Sequence, residues 1–276
     1  MNCSFAAFLE RYKHFELIPG ELYFTITEET VKSANSEVPV SILDYPKDFA
    51  TDKTPPSIKQ IHAFYAIVSR FIASGNTVHF YTSMANLPCS LVYICTFLMT
   101  RKKQSADLTF APFSLLSALI KPFHDISGKE LFYDLTVVSV LRSFEKAVVN
   151  KWFSMETFNS DQYEYFNQIH MNWIIPDVLL AFSTTTPVPQ NKAFLAFNKL
   201  HINHFISLGG LVYEQSNFFN YGFDYTEMRL KGITPSIDEL KEFLEVTSND
   251  HTFVIHSNGQ IDLSYEFLRY ADILCK

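Results

Sequence analysis

The sequence has few cysteines, few glycines and no excess of basic residues. The four cysteines are scattered and show neither metal-ligand spacing nor a disulfide framework, which favours a reducing compartment. We therefore expect an intracellular protein, of the nucleus or the cytoplasm, that holds no metal and no cofactor. The formal net charge of −7 at pH 7, without a basic stripe, argues against a nucleic-acid partner.

Long apolar runs and a basic leader are missing as well. The longest apolar run, near PCSLVYICTFLM, is too short to cross a bilayer and is typical of a buried helix. The N-terminal MNCSFAAFLERYKHF lacks the basic lead of a signal peptide, and the final ILCK is not a prenylation box. The sequence therefore predicts no membrane partner.

Apolar residues are abundant, and their spacing predicts alternating strands and helices. Of 276 residues, 47% are hydrophobic, enough for packed cores in about two domains at roughly 150 residues each. In the first half we predict strands at 20–26, 39–43 and TVHFYTS, and helices at 57–74, NLPCSLVYICTFLMTRKK, 113–121 and 129–149. In the second half we predict strands at NWIIPDVLLAFS, INHFISL, GFDYTEMRL and TFVIHS, and helices at NKAFLAFNKL, TPSIDELKEFLEV and 262–274.

A weak internal repeat joins the two halves. TVHFYTSMANLPCSLVYICTFLM and TFVIHSNGQIDLSYEFLRYADIL each predict a strand, a polar loop and a helix, an arrangement with which proteins hold phosphate. The repeat aligns Tyr81-Thr82-Ser83 with His256-Ser257-Asn258. Two α/β halves of one plan would explain it.

The segment METFNSDQYEYFNQIHMNWIIPDVLLAF resembles the linker and second-domain start of the mitotic-exit dual-specificity phosphatases, the cell division cycle fourteen family. GELYF, HFYTS and GFDYTEMRLKGITPSIDELKEFL are similar to the family's first strand, the loop of its non-catalytic first domain and the segment with its catalytic acid. The resemblance implies an α/β fold of two tandem dual-specificity-phosphatase-like, three-layer domains. We expect a non-catalytic domain over 1–152, a helical linker over 153–171 and a degenerate catalytic-like domain over 172–276. That domain is expected to be shortened, because the chain ends 19 residues after Ser257.

The family's chemistry, hydrolysis of phosphoserine before proline, needs His-Cys-x5-Arg and a separate acidic Asp. Here His256 remains, but the nucleophile position is Ser257, the arginine position is Leu263 and the acid position aligns with Lys231. A serine hydroxyl is too weak an acid to ionise as a cysteine does, and leucine cannot replace a bidentate guanidinium. The remaining loop positions are Asn258, Gly259, Gln260, Ile261 and Asp262. We expect Asp262 to cap the last helix rather than to bind a ligand.

The predicted linker keeps acidic residues of the kind that, in the family, select basic residues after the phosphosite. Asp161, Glu164 and Trp173 are therefore candidates for a peptide groove, with a solvated helix face as the alternative for the two acids. The aromatic cluster of Tyr163, Tyr165, Phe166 and Trp173 is expected to pack between the domains, with the groove again as the alternative.

Three other signals favour structural roles. His256 cannot serve Ser257 as a base in a serine hydrolase, because adjacent strand residues point to opposite faces. His201 and His204 are three apart but have no third ligand nearby, and the basic run TRKKQ at 100–104 suits a helix C-terminus better than a phosphate.

The sequence therefore predicts a catalytically inactive phosphatase relative that binds proteins, phosphoproteins among them, as a scaffold in cell-cycle or phosphosignalling pathways. The alternative is a divergent phosphatase with residual activity on phosphoserine-proline sites. The structure distinguishes these two hypotheses: residual activity would require Cys89 or Cys95 to lie in a loop beside an arginine such as Arg101. A third hypothesis is a chain without selected activity, which would be marginally stable. The sequence contains no signal for the oligomeric state.

Overall fold

The structure is a computed structural model and describes residues 14–27, 40–44, 54–123, 135–169, 171–183, 190–208, 213–228, 235–248 and 252–257. The chain divides into two compact units, Met1–Phe158 (unit 1) and Asn159–Lys276 (unit 2). The division falls within the range 153–171, where the sequence predicts a linker.

Unit 1 is built on a four-stranded sheet. Its strands are β1 (His14–Ile18), β2 (Leu22–Ile26), β3 (Val40–Asp44) and β4 (Thr77–Thr82). The strand order is β1-β2-β4-β3; β1 and β2 form an antiparallel hairpin, and β2, β4 and β3 run parallel. Its helices are α1 (Ile58–Ala73), α2 (Leu87–Lys102), α3 (Ala106–Phe110), a 3-10 helix (Ala111–Leu119) and α4 (Val137–Val149).

Helix α2 is the centre of the unit 1 core, as its apolar run predicts. Twelve of its sixteen residues are buried, and its charged residues are confined to the last turn. The Phe64 ring of α1 packs at 5.1 Å from the Phe80 ring of the sheet and at 5.2 Å from the Tyr93 ring of α2. The α1 helix starts at the N-cap Ser57, which forms a capping box with Gln60. A capped helix thus joins the sheet to α2.

Unit 2 is built on a five-stranded sheet. It comprises α5 (Ser160–Gln168), β5 (Met171–Ile175), β6 (Leu179–Ser183), α6 (Gln190–Lys199), β7 (His204–Ser207), α7 (Gln215–Asn220), β8 (Asp224–Glu227), α8 (Ile237–Val246) and β9 (Phe253–Ser257). The strand order is β5-β6-β9-β7-β8. Only the β5–β6 pair is antiparallel; β6, β9, β7 and β8 run parallel.

Apolar side chains cover both faces of the unit 2 sheet, so this unit has three layers. One face packs Phe205 and Val254 against Phe194 of α6 and Phe218 of α7. The other face forms a second cluster with α8, whose apolar residues recur at helical spacing. The predicted α/β layer architecture is confirmed.

The opening hairpins of the two units have the same plan. Residues 18–22 (IPGEL) and 175–179 (IPDVL) both follow a strand bulge. The turns close alike: the Glu21 N–H donates to the Ile18 carbonyl at 3.0 Å, and the Val178 N–H donates to the Ile175 carbonyl at 3.1 Å. The hairpins therefore form a second likeness between the units, which the sequence repeat did not include, since turn, bulge and strand directions coincide.

At the third position of this turn the backbone has a positive φ, so we expect glycine and other residues to differ in their effect on stability. Gly20 has φ +72° and Asp177, its counterpart, has φ +60°. A Cβ added at Gly20 would meet no atom within 4 Å, so only backbone strain opposes a substitution. We expect Gly20→Val to lower the unfolding free energy of unit 1 by about 1–2 kcal/mol. Urea denaturation followed by Trp152 fluorescence in a Trp173→Phe background measures it.

The matched control for the turn is Gly20→Asp, which copies the residue of unit 2. Aspartate tolerates the left-handed region better than a β-branched residue does, so its loss should be smaller. Equal losses for Val and Asp would contradict the conformational argument.

Two helix predictions need correction, and three short elements were not predicted. Residues 111–119 form a 3-10 helix in place of the α-helix predicted at 113–121, because Phe113, Leu116 and Leu119 repeat every three residues. The helix predicted at 129–149 starts at Val137; before it, Leu135 bridges to Phe123. The helix predicted at 262–274 lies outside the described residues. The unpredicted elements are β1, α3 and α7.

Candidate phosphate-loop site

The candidate site begins where the central strand of unit 2 ends. β9 lies between β6 and β7 and finishes at Ser257, which the sequence resemblance predicts to be the nucleophile position. Ligands of parallel α/β sheets bind at the carboxyl ends of the strands. The structure therefore places His256 and Ser257 at the edge of the sheet where such sites are built.

His256 is a buried residue packed among aromatic rings. Its side chain is 2% exposed, and its ring lies 5.6 Å from the Phe182 ring and 5.7 Å from the Phe205 ring. Burial lowers the pKa of His256 to about 4. The imidazole is thus neutral at pH 7 and brings no positive charge to the start of the loop.

The neighbouring parallel strands also end in polar residues, which were not predicted as site residues from the sequence. In register, Ser183 of β6 lies opposite Ser257, and Ser207 of β7 lies opposite both His256 and Glu227 of β8. Ser207 is fully buried. The sequence could have indicated these residues, because each predicted strand ends in a polar residue. Only the strand order shows that they lie side by side.

Backbone register identifies the position in unit 1 that corresponds to Ser257. Leu22 pairs with Val78 in unit 1, and Leu179 pairs with Phe253 in unit 2. Counting from these pairs matches Tyr81 to His256 and Thr82 to Ser257, which confirms the alignment predicted from the sequence repeat. Both units therefore have a hydroxyl residue at the end of the central strand.

The unit 1 hydroxyl is held by a buried hydrogen bond. Thr82 is 3% exposed, and its Oγ1 accepts a hydrogen bond from Ser90 Oγ at 2.7 Å. Ser90 belongs to α2, which begins after the loop Ser83–Asn86. An oxygen so enclosed cannot reach a phosphorus atom in solvent.

The candidate groove residues have different environments. Asp161 is exposed and Glu164 half-buried; they are three residues apart on α5 and so share a face. Trp173 is partly buried and packs against the core of unit 2, where Phe166 is also buried. The contacts of Trp173 favour a packing role, and Asp161 with Glu164 remain the acidic part of the predicted groove.

The two described cysteines lie inside a helix. Cys89 and Cys95 are both buried in α2, and burial raises the pKa of the Cys95 thiol. Arg101 lies on the same helix, six residues after Cys95, which is about 9 Å of helix rise. Neither cysteine is in a loop beside this arginine.

The histidine pair and the basic run have structural roles in the described part of the chain. His204 Nε2 lies 2.7 Å from Thr226 Oγ1, and His201 sits in a turn with φ +55°. Lys102 of the basic run donates to the Leu17 carbonyl at 2.8 Å. Among the described residues, no three His, Cys, Asp or Glu side chains gather as metal ligands, and no helix is long and apolar enough to cross a bilayer.

The remaining loop positions lie outside the described residues. These are Lys231, Asn258, Gly259, Gln260, Ile261, Asp262 and Leu263. Their assignments stay predictions from the sequence.

The two sheets, with their antiparallel hairpins and parallel crossovers, define an α/β protein of two similarly built units. Residues 16–147 match the family model "Dual specificity protein phosphatase, N-terminal half". The chain is thus similar, at low identity, to the dual specificity phosphatases of the CDC14 group.

Two relatives illustrate this similarity. Dual specificity protein phosphatase CDC14A of Mus musculus is 30% identical over 144 residues, which are 46% of this chain and 24% of the relative. CDC14B of Mus musculus is 22% identical over 255 residues, 84% of this chain and 52% of the relative. The chain thus matches about half, or less, of the length of these relatives. A protein described as a phosphatase from Shewanella putrefaciens aligns with 39% of this chain and 74% of its own, at 15% identity and a TM-score of 0.31, too slight a likeness to support an argument.

Proposed function

We propose that this chain is a catalytically inactive relative of the dual specificity phosphatases that binds proteins, phosphoproteins among them, as a scaffold in phosphosignalling. The observation that carries the proposal is Ser257 at the end of the central strand, where the family has its cysteine nucleophile. A serine hydroxyl in that position needs a positioned base. His256 cannot be that base, since its ring is buried between Phe182 and Phe205.

The electrostatics of the loop support the same proposal. His256 is neutral at pH 7 and so does not favour an anion there. Leu263 has no donors with which to hold the equatorial oxygens of a phosphate, and Lys231 cannot act as the carboxylic acid that protonates a leaving group. The cysteine nucleophile, the phosphate-binding arginine and the acidic aspartate of the family are thus all replaced.

The alternative, a divergent phosphatase with residual activity, has less support. It would need a thiolate near an arginine, and the described cysteines are helix-interior residues of unit 1. A buried thiol whose pKa is raised stays protonated at pH 7 and is a poor nucleophile.

A single titration tests the proposed function. A phosphoserine-proline peptide and its unphosphorylated twin are titrated against the purified chain, with phosphate release followed in the same sample. Phosphate-dependent binding without release would identify a reader, and equal binding of the twins would move the search to partners of the linker. Turnover by the unaltered chain that disappears in a Cys89→Ser or Cys95→Ser variant would overturn the proposal.

Restoring the three replaced residues gives a second test. We expect Ser257→Cys alone to release no measurable phosphate from an aryl phosphate, because clamp and acid are still missing. The triple variant Ser257→Cys, Leu263→Arg, Lys231→Asp should turn over at least about 100-fold faster than the single variant, the usual contribution of a general acid. The double variant Leu263→Arg, Lys231→Asp, which retains Ser257, is the matched control. Turnover by that control would show that Ser257 is not the residue that limits activity.

A further inference from the structure

Helix α5 presents one tyrosine to solvent beside two carboxylates. Tyr165 is 51% exposed, with Glu164 immediately before it and Asp161 one turn earlier. Its hydroxyl makes no hydrogen bond to a described residue. Among the described tyrosines only Tyr221 is also exposed; its ring packs at 4.8 Å from Phe194, and its adjacent residues, Asn220 and Gly222, are uncharged.

Helix α5 is short and depends on contacts outside its own backbone hydrogen bonds. It has nine residues, too few to be stable alone in water. Phe166 is its one buried residue, and the Asn159 side chain caps it by accepting from the Asp161 and Gln162 N–H groups at 3.0 and 2.9 Å. Opening the segment for a modifying enzyme therefore costs the Phe166 anchor, the Asn159 cap and the contacts of Tyr163 and Glu164.

We propose that Tyr165 is a phosphorylation site for a tyrosine kinase with a basic substrate groove, and that its phosphorylation opens helix α5. The Tyr165 phenol oxygen attacks the γ-phosphorus of a nucleoside triphosphate, and the bond from this phosphorus to the bridging oxygen breaks. The nucleoside diphosphate leaves, and the phenol proton passes to the kinase's base. A basic groove complements Asp161 and Glu164.

The added charge disfavours the helix for two reasons. Tyr165 lies in the C-terminal half of α5, where the macrodipole is negative, and a phosphate there is repelled. The same phosphate lies one turn from Asp161, and like charges four residues apart destabilise a helix. Together these effects should speed amide hydrogen exchange over 163–168 by roughly three- to tenfold.

The test uses the full chain with a recombinant tyrosine kinase domain that prefers acidic substrates, magnesium and ATP. Tandem mass spectrometry locates the phosphate, and hydrogen exchange follows α5 before and after reaction. We expect a phosphate on Tyr165, none on the peptide that carries residue 165 in Tyr165→Phe, and unchanged labelling of Tyr165 in the matched variant Tyr221→Phe. Glu164→Lys should slow labelling.

The phosphorylation site and the helix opening would be contradicted by different results. Labelling that persists on the peptide with residue 165 in Tyr165→Phe, or no labelling of Tyr165 in the unaltered chain, would overturn the site. Labelling of Tyr165 with unchanged exchange over α5 would overturn the helix opening. Equal thermal unfolding of Tyr165→Phe and the unaltered chain confirms that the variant folds, since Tyr165 is mostly exposed.

Discussion

Phe205→Ala is expected to lower the unfolding free energy of unit 2 by about 3–5 kcal/mol, the usual cost of removing a buried phenylalanine. Phe205 is 2% exposed and lies in the middle of the sheet. Its ring centroid is 4.5 Å from Phe218, 5.8 Å from Phe197 and 5.7 Å from His256, so alanine leaves a cavity that these rings cannot all fill. A loss of this size is a large share of the 5–15 kcal/mol typical of a domain.

Fluorescence separates the two units in this experiment, because the chain has two tryptophans, Trp152 in unit 1 and Trp173 in unit 2. In a Trp152→Phe background, urea denaturation followed through Trp173 should show the loss. The matched control is Phe219→Ala: Phe219 is 56% exposed, and its removal should cost less than about 0.5 kcal/mol. Equal losses for the two alanine variants would contradict the placement of Phe205 in the core.

Long elements with a strong pattern could be predicted from the sequence. The α1 helix has both a capping Ser57 and helical spacing, and α2 has an unbroken apolar run, so their ranges were within two residues of the observed ones. The α3 and α7 helices have five and six residues, too short for a period to show. β1 has a mixed burial pattern because it lies at the edge of its sheet, and its sequence HFELI accordingly lacks strict alternation.

The candidate site was predictable only in part. A resemblance placed His256 and Ser257 at a strand end, and local periodicity supports that strand. The burial of His256 and the neighbours Ser207 and Glu227 depend on strand order, which no local pattern encodes. The hydrogen bond from Ser90 to Thr82 likewise joins a helix to a strand across a loop, and no local pattern predicts it.

Acid is expected to destabilise unit 2 through His256. Burial holds the pKa of His256 at about 4 in the folded protein, below the ordinary value of 6.5, so the unfolded chain binds more protons between these pH values. The stability from this residue is therefore complete above about pH 6.5 and falls as the pH falls toward 4. The loss at pH 4 should be about 3 kcal/mol, since each pKa unit is worth about 1.4 kcal/mol.

The variant His256→Phe tests this prediction, because a ring of similar size beside Phe182 and Phe205 cannot take up a proton. Unfolding free energies of unit 2 at pH 7, 6, 5 and 4, followed through Trp173, should fall less steeply in this variant than in the unaltered chain, and the difference between the two slopes isolates the histidine from the carboxylates. His201→Asn, which removes an exposed imidazole and keeps a residue suited to the positive φ of that turn, is the matched control and should retain the steep slope. Parallel slopes for His256→Phe and the unaltered chain would mean that His256 is protonated in the folded state as readily as in the unfolded chain. The loop after β9 would then begin beside a cation at mildly acidic pH, and the argument that its electrostatics no longer favour phosphate would fail with the prediction.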